Sequence, residues 1–182
     1  MTDLFTLSNQ GITVRAATEA DLPIILEIYN EAILNSAALF EYYAFTVDYI
    51  GKWFENKKAN NFPVFVACVN EEVFGFCSYG HFRERPGYKY TVESTVYIHQ
   101  IHRGKGIGKL LVSYLNDYAI SQNFHTIIAC IEASNLARIN LHKGQGYEQV
   151  AEFKQVGYKF DRWLTLLFFQ LILPTPECPN CN

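Results

Sequence analysis

Hydrophobic residues follow two spacings along the chain, one typical of strands and one typical of helices. Apolar and polar residues alternate over residues 12–17, which predicts a strand. Apolar side chains then recur every three or four residues, and Thr18 with Asp21 three residues later fits a helix-starting capping box. Residues 36–45 are apolar and aromatic without a clear period, so we interpret them as a loop. A second helix is predicted between this loop and Pro63.

The middle of the chain predicts a hairpin followed by a strand, a glycine-containing loop and a helix. The runs FPVFVACV and VFGFCSYG are rich in strand-forming residues, and NEE between them predicts a tight turn. YKYTVESTVYIH is predicted to be a longer strand that leads into HRGKGIG. The helix predicted after it has the clearest apolar stripe of the chain, formed by Ile107, Leu110, Leu111, Tyr114, Leu115 and Tyr118.

The last third of the chain predicts strands around a short helix. HTIIACIEA is a predicted strand, NLARINLHKGQG is a short helix closed by Gly146, and YEQVAEFKQVG and YKFDRWLTLLFFQLIL are two further strands. This mixed order predicts an α+β or α/β fold with a mixed sheet. We expect a single domain over residues 1–182, with its core over about residues 12–173 and a loose tail over residues 174–182.

Composition and charge narrow the classes of function. The net charge of -3 provides no overall positive field that would attract nucleic acid. No apolar run approaches the roughly 20 residues of a membrane span, and MTDLFTLSNQ lacks the features of a signal peptide. Five cysteines, an odd number, argue against a disulfide framework. We therefore expect a cytoplasmic protein that binds neither nucleic acid nor a membrane.

The segment RGKGIGK, between a predicted strand and a predicted helix, is a candidate anion-binding loop. Glycine lets the backbone approach a ligand closely, and the first turn of a helix offers unpaired N–H groups and the positive end of the helix dipole. The spacing does not fit Walker A, because Leu110 follows Lys109, and it does not fit the dinucleotide fingerprint G-x-G-x-x-G. The alternative is an ordinary strand-to-helix turn with solvated cations.

Several polar residues are candidates for chemistry, and each has a structural alternative. Glu93 lies within the predicted strand YTVESTVYI, so it is either a functional carboxylate or an outward-facing side chain. Asn135 is a natural helix N-cap. Arg83 and Arg85 in GHFRERPGY have the forked guanidinium that suits carboxylate-like oxygens, or they belong to a solvated loop.

We do not expect a metal site or a catalytic nucleophile. Cys178 and Cys181 have C-x-x-C spacing, but one pair supplies only half of a zinc site and lies in the predicted tail. His99 and His102 are likewise too few. The sequence has no Ser/His/Asp or Cys/His set at convincing positions.

The pattern Arg103-x-x-Gly106-x-Gly108 resembles the acetyl-CoA pyrophosphate motif of the GNAT N-acetyltransferases. Over about residues 12–173 the chain is similar to one branch, the phosphinothricin / methionine sulfoximine N-acetyltransferase family. The segments that carry the resemblance are ATEADLPIILEIYNEA, FP-FVA, G-CSYG-FR, YTVE, VYIH--HRGKGIGKLL, IEASN, LH--QGY and VGYKFDRWLTLLFFQL. The resemblance implies the GNAT fold, with a mostly antiparallel central sheet that is splayed at the acetyl-CoA site and flanked by helices.

The resemblance also implies how acetyl-CoA, the donor, would be bound. The glycine loop would hold the pyrophosphate through backbone N–H groups, and the preceding strand would offer main-chain groups to the pantetheine arm. The implied cofactor-binding residues are Val96, Tyr97, Ile98, Arg103, Gly104, Lys105, Gly106, Ile107, Gly108, Lys109 and Asn135. Glu93 would be the general base, directly or through water. His142 stands where many acetyltransferases have a tyrosine thought to protonate the leaving thiolate, although a lone helical histidine is usually structural.

On the acceptor side, the resemblance implies contacts from two loops. Arg83 matches a family arginine, whereas Arg85 matches no fixed position. Phe40 and Glu41 match a Phe-Glu step that lines the acceptor pocket, with aromatic packing as the alternative. The implied substrate-binding residues are Phe40, Glu41, Arg83, Glu84, Arg85, Glu93, Ser94 and Thr95. Ser94-Thr95 replaces the usual His-Ser, and YYAF replaces the usual Thr and Pro after Phe-Glu, so both departures fall around the acceptor.

The implied activity is acetylation of the α-amine of phosphinothricin, methionine sulfoximine or methionine sulfone, by a homodimer with a role in detoxification. One alternative is an N-acetyltransferase for another amine, such as a polyamine or a peptide N-terminus. Another is a CoA-binding sensor without turnover.

Overall fold

The computed structural model of the protein describes residues 6–7 and 11–175. Cys178 and Cys181 therefore lie outside the described residues. The strands are β1 (Thr6–Leu7), β2 (Ile12–Ala16), β3 (Val64–Val69), β4 (Glu72–His81), β5 (Thr91–Ile98), β6 (Thr126–Glu132), β7 (Glu148–Lys159) and β8 (Arg162–Ile172). The helices are α1 (Leu22–Asn35), α2 (Val47–Ala59), α3 (Ile107–Ser121) and α4 (Leu136–Lys143). None of the helices within these described ranges is both long and apolar enough to cross a membrane.

The strands form one sheet in the order β1-β2-β3-β4-β5-β6-β8-β7. Neighbouring strands are antiparallel except β5 and β6, which run parallel. That parallel pairing covers Thr91, Val92 and Glu93 of β5, and then the two strands separate. The prediction of a mixed, mostly antiparallel sheet that is splayed in its middle is confirmed. The gap follows directly from this short pairing, because each strand continues beyond it.

Helices cover both faces of the sheet. The cluster on one face contains Val92 and Val96 of β5 together with Leu111 of α3. The cluster on the other face contains Tyr97 of β5 and residues of α1 and α2. Successive residues of a strand point to opposite faces, so Glu93 shares the face of Tyr97, under α1 and α2.

The first helix start uses the predicted capping box, and the second uses a cap, Thr46, that the sequence analysis did not select. The Asp21 carboxylate accepts hydrogen bonds from the Thr18 backbone N–H (2.7 Å) and hydroxyl (3.0 Å), and from both terminal nitrogens of Arg15 (2.8 Å each). A 3-10 turn at Glu19–Asp21 precedes α1. Thr46 caps α2 by accepting from the Tyr49 N–H at 3.2 Å.

The two long hairpins turn at pairs of residues with positive φ. The first pair is Asn70 (46°) and Glu71 (72°), where a tight turn was predicted. The second pair is Phe160 (51°) and Asp161 (55°), so the predicted break between Gly157 and Tyr158 is wrong and β7 continues to Lys159. Likewise, α4 ends at Lys143, three residues before the predicted Gly146.

Candidate active site

A cleft of about 520 Å³ opens where β5 and β6 separate. Its walls are the end of β5, the glycine loop with the start of α3, the first turns of α4, and the end of α1. The lining residues are Ala32, Ser36, Ala38, Val96, Tyr97, Ile98, His102, Arg103, Gly104, Gly106, Ile107, Gly108, Lys109, Asn135, Ala137, Arg138 and Leu141. The cleft thus brings together the predicted cofactor-binding residues with the exception of Lys105, which is exposed outside this lining.

The glycine loop takes a backbone shape that side chains would disfavour. Gly104 and Gly106 have φ of 76° and 81°, in the left-handed region. Gly108 lies in the first turn of α3, where a Cβ atom would be 3.1 Å from Leu141 Cδ2 of α4. Glycine at these positions leaves the first N–H groups of α3 accessible from the cleft, and such groups have no partner inside the helix. This arrangement suits a phosphate.

Arg103 ties the glycine loop to its surroundings. Its Nε donates to the Ile98 carbonyl at 3.1 Å, and its guanidinium forms an ion pair with Glu31 of α1. Lys109 also lines the cleft. The positive charge of the loop is therefore partly compensated by Glu31, and Arg103 contributes to the shape of the loop as well as to its charge.

Two histidines precede the loop. The Nε2 atom of His99 is 3.1 Å from Glu27 Oε1, and the ring of His102 stacks on Phe74 with ring centres 3.9 Å apart. Within residues 6–7 and 11–175, no group of three or more His, Cys, Asp or Glu side chains is placed so that it could hold a metal ion.

Glu93 occupies the last position at which β5 and β6 are paired. It lies opposite Ile128 of β6 and opposite Gly80 of β4, and it is partly buried. A Cβ atom on Gly80 would be 3.0 Å from Lys57 Nζ, and that ammonium donates to the Tyr79 carbonyl at 2.7 Å. Burial lowers the pKa of Lys57 to about 8, and the negative charge of Glu93 acts in the opposite direction. Glu93 therefore has a half-buried cation near it.

Cys130 of β6 is hydrogen-bonded to Glu93, and several charged groups act on its thiol. Burial raises the pKa of its thiol to about 12, and the charge of Glu93 and a hydrogen bond with it act in the same direction. The positive charges of Arg138 and Arg83 oppose this effect. Cys130 thus remains a thiol, and a carboxylate and two guanidinium groups act on the same point beside the cleft.

Arg138 is a cleft residue that the sequence analysis missed. Its guanidinium carbon lies 5.7 Å from the ring centre of Tyr97, and the Tyr97 hydroxyl donates to the Ala38 carbonyl at 3.4 Å. The Nε atom of Arg138 is buried and has no hydrogen-bond partner among the described residues. The available signal was its spacing, since Arg138 follows the helix cap Asn135 by one turn, and the Arg138 N–H donates to Asn135 Oδ1 at 3.1 Å.

His142 lies behind the cleft rather than in it. Its side chain is fully buried against Tyr147, and its Nδ1 is 2.9 Å from the Arg138 carbonyl, so Nδ1 carries the proton and donates. Nε2 is buried with no hydrogen-bond partner within residues 11–175. Burial, assisted by the charge of Arg138, lowers the pKa of His142 to about 4. The imidazole is therefore neutral at physiological pH.

The loop between α1 and α2 is held by the β7–β8 hairpin. The Lys159 ammonium is buried and donates to three carbonyls, those of Ile33 (2.5 Å), Ser36 (2.9 Å) and Leu39 (2.8 Å). These carbonyls belong to the last turn of α1 and to the loop, where backbone acceptors lack helical partners. Lys159, which the sequence analysis did not select, thus fixes where the loop leaves α1.

Phe40 and Glu41 occupy this loop as predicted, but outside the cleft lining. Phe40 packs on the hairpin, because a Cβ atom on Gly157 would be 2.5 Å from its ring. Glu41 is exposed. The Tyr42 hydroxyl donates to the Tyr158 carbonyl at 2.6 Å. Gly157, which resembled a strand end in the sequence, is instead the place where an aromatic ring contacts the backbone.

The β4–β5 loop carries the predicted arginines on the surface. Arg83, Glu84 and Arg85 are exposed, and Arg83 lies over the ring of Phe82 at 4.5 Å. On β5, Ser94 is buried on the α3 face, where its hydroxyl donates to the Ile128 carbonyl at 3.3 Å. Thr95 is half-buried and shares the face of Glu93 by alternation. Of the predicted acceptor residues, Glu93 and Arg83 are the two whose charges act on Cys130, in opposite directions on its pKa.

Comparison with known proteins identifies relatives that match most of the chain. Residues 14–166 match the family described as acetyltransferase (GNAT) domain. The chain is 41% identical to an L-methionine sulfoximine/L-methionine sulfone acetyltransferase of Salmonella typhimurium, over 93% of this chain and 99% of the relative.

Solved structures agree with this result. The structure of yncA from Salmonella typhimurium with its cofactor acetyl-CoA has a TM-score of 0.91 and 40% identity, covering 95% of this chain and 100% of that one. A GNAT superfamily phosphinothricin acetyltransferase from Sinorhizobium meliloti, in complex with acetyl-CoA, has a TM-score of 0.87 and 34% identity, covering 90% and 89%.

Proposed function

Because the chain belongs to the GNAT acetyltransferase family and is an acetyltransferase, we propose that it acetylates the α-amine of small amino-acid analogues from acetyl-CoA, with Glu93 as general base. The proposed acceptors are methionine sulfoximine, methionine sulfone and phosphinothricin, the compounds in the names of its relatives. The observation that carries the proposal is the position of Glu93, at the point where β5 and β6 separate beside the glycine-loop cleft.

The residues of the cleft fit acetyl-CoA. The glycine loop and the first turn of α3 offer backbone donors to the pyrophosphate, with Lys109 nearby. Val96, Ile98 and Leu141 supply apolar surface for the pantetheine arm. Asn135 lines the same cleft while it caps α4.

The proposed mechanism requires a neutral amine, since an ammonium group has no lone pair for attack. Glu93 accepts the proton of the acceptor amine, directly or through water. Acetyl-CoA supplies an activated thioester: the C–N bond to the amine forms at its carbonyl carbon, the C–S bond then breaks, and CoA leaves as a thiolate that takes up a proton from solvent. The backbone N–H groups at the end of β5 are the candidates for stabilising charge on the carbonyl oxygen. His142 has no part in this mechanism, because its imidazole is neutral and fully buried.

Arg83 is proposed to contact the tetrahedral side-chain centre of these acceptors. A guanidinium group forms paired hydrogen bonds to two oxygens of such a centre. Arg83 is exposed, yet its charge reaches Cys130 beside Glu93, which supports a place at the acceptor end of the site. Detoxification of amino-acid analogues is the role that this activity would serve.

The test is thiol release from acetyl-CoA with each proposed acceptor, with ordinary amino acids and with spermidine. We expect release that is selective for the tetrahedral analogues, and a loss of at least about 100-fold in kcat for Glu93→Gln, the scale of a lost general base. Glu55→Gln makes the same change on the exposed side of α2 and should leave kcat unchanged. Release with spermidine alone would replace this acceptor assignment, and acetyl-CoA binding without any release would indicate a sensor.

We also propose a homodimer. The β7–β8 hairpin exposes an unusual number of large apolar side chains, and such patches mark interaction surfaces. They are Val150, Phe153, Val156, Tyr158, Phe160, Trp163 and Ile172. Light scattering should give twice the chain mass of 20.9 kDa, and Phe153→Glu should reduce it to the monomer. A monomeric wild-type protein would refute this part.

A further inference from the structure

We propose that Arg138 binds the α-carboxylate of the acceptor and so restricts the enzyme to α-amino acids. This inference rests on the proposed function and specifies the acceptor more closely. Neither the loops that the sequence selected for acceptor binding nor the glycine loop contains Arg138, which lies on α4.

The first support is one unsatisfied N–H of the Arg138 side chain, its Nε–H, in a guanidinium that otherwise hydrogen-bonds the Tyr97 hydroxyl. A guanidinium has five N–H donors and cannot lose its charge in a protein. The Nε–H of Arg138 is buried without a partner among the described residues, although Arg138 lines an open cleft. Buried polar groups in proteins are nearly always hydrogen-bonded, so an exception beside a cleft indicates a donor kept for a ligand.

The second support is the position of the Arg138 guanidinium in the cleft. Its guanidinium covers the ring of Tyr97, and Tyr97 shares a sheet face with Glu93. The Tyr97 hydroxyl reaches the Ala38 carbonyl, in the loop after α1. Arg138 therefore lies in the cleft over the sheet face that also carries Glu93.

The third support is the match between charges. A methionine sulfone molecule has an amine, an α-carboxylate and a tetrahedral centre with two oxygens. Beside the cleft, Glu93, Arg83 and Arg138 all act electrostatically on Cys130. Glu93 is assigned to the amine and Arg83 to the tetrahedral oxygens. The other cation near Glu93, Lys57, already donates to the Tyr79 carbonyl. The α-carboxylate is therefore assigned to Arg138. A carboxylate can accept two parallel N–H bonds from a guanidinium, the geometry that arginine provides best.

The experiment compares two acceptors that differ only at the carboxylate. They are methionine sulfone and 3-(methylsulfonyl)propan-1-amine, its decarboxylated analogue. For Arg138→Gln we expect kcat/KM for methionine sulfone to fall about 10- to 100-fold, the effect of losing hydrogen bonds to a charged group, with most of the change in KM. The value for the amine should stay within about threefold, so that the preference for the carboxylate collapses. Arg138→Lys should keep part of that preference, because it keeps the charge.

Arg83→Gln is the matched contrast. Both acceptors contain the sulfone, so this variant should lower kcat/KM for both by a similar factor and leave their ratio unchanged. Acetyl-CoA binding and the melting temperature, measured for every variant, show that the donor site and the fold are intact. For each variant, the ratio of kcat/KM for the two acceptors is divided by the same ratio for the wild-type enzyme. The two acceptors have different amine pKa values, but this difference is the same for every enzyme and cancels.

Three outcomes overturn the inference. The first is a wild-type enzyme that uses both acceptors equally well, which would leave the proposed function standing. The second is an Arg138→Gln variant that loses kcat equally for both acceptors, which would place Arg138 at the leaving thiolate. The third is a variant with unchanged kinetics. If the wild-type enzyme acetylates neither of these compounds and also neither methionine sulfoximine nor phosphinothricin, the proposed function itself fails.

Discussion

Replacing His142 with asparagine should make the stability of the protein less sensitive to acid. The imidazole is fully buried, and burial holds its pKa at about 4, against 6.5 for an ordinary histidine. The folded protein therefore needs the neutral ring, whereas the unfolded chain binds a proton near pH 6.5. As the pH falls from about 6.5 to about 4, proton uptake favours the unfolded state and stability is lost. Above pH 6.5 neither state is protonated, so this contribution is fully present.

The size of this effect follows from the pKa difference. A difference of about 2.5 units, at about 1.4 kcal/mol for each unit, gives about 3.5 kcal/mol. Asparagine places an N–H donor near the position of Nδ1, so it can keep the hydrogen bond to the Arg138 carbonyl without titrating. At pH 7 the variant should lose about 1–2 kcal/mol through the smaller side chain against Tyr147.

Urea unfolding of both proteins at half-unit steps from pH 4 to pH 8 measures this effect. Other acid-sensitive contacts, such as the Asp21 carboxylate whose pKa is lowered by Arg15, are common to both proteins and cancel in the difference. The free-energy difference between wild type and His142→Asn should shrink or reverse as the pH falls from about 6.5 to about 4. Parallel pH profiles would refute the assignment of a buried neutral histidine. A kcat loss above about tenfold at pH 8 would refute its exclusion from the mechanism.

Three further substitutions test the walls of the site. Lys159→Met should lower stability by about 2–3 kcal/mol and raise the acceptor KM, because three carbonyls lose a charged donor. The control is Lys154→Met, which removes an exposed lysine of the same strand. Equal melting temperatures for the two variants would contradict this prediction. Gly157→Ala should cost about 1–3 kcal/mol by displacing the Phe40 ring, with the acetyl-CoA KM unchanged. Gly106→Ala, at φ 81°, should instead raise the acetyl-CoA KM several-fold, about 3- to 10-fold, and an unchanged value would show that the loop shape is irrelevant to binding.

The cleft at the glycine loop, the proposed donor end of the site, was predictable because it is formed by segments that are local in sequence. The strand β5, the glycine loop and α3 are continuous, and periodicity with glycine spacing determines each of them. The N-cap role of Asn135 also follows from a residue and its immediate neighbours. The splay of the sheet was predicted from family resemblance, since a three-residue parallel pairing between β5 and β6 leaves no pattern in either strand.

The acceptor end was less predictable because distant segments meet there. Lys57 on α2 comes near Glu93 only because Gly80 on a different strand leaves room. Lys159 reaches carbonyls more than 100 positions earlier in the chain. The sequence analysis misplaced the hairpin turn at Phe160 and Asp161, because it interpreted Gly157 as a break between strands. Glycine is common at turns, but here it allows the Phe40 ring to pack closely on the backbone.

This difference between the two ends bears on how the enzyme would acquire its specificity. The proposed donor end depends on backbone N–H groups and on positive φ angles, so few substitutions are compatible with it. The proposed acceptor end depends on single side chains from α4, the β4–β5 loop and the loop after α1, and each can change without disturbing the sheet. Arg138 illustrates this, because its backbone N–H serves the Asn135 cap whatever its side chain is. A residue at this position can therefore be exchanged for a new acceptor while the N-cap of helix α4 and the glycine loop keep their structure.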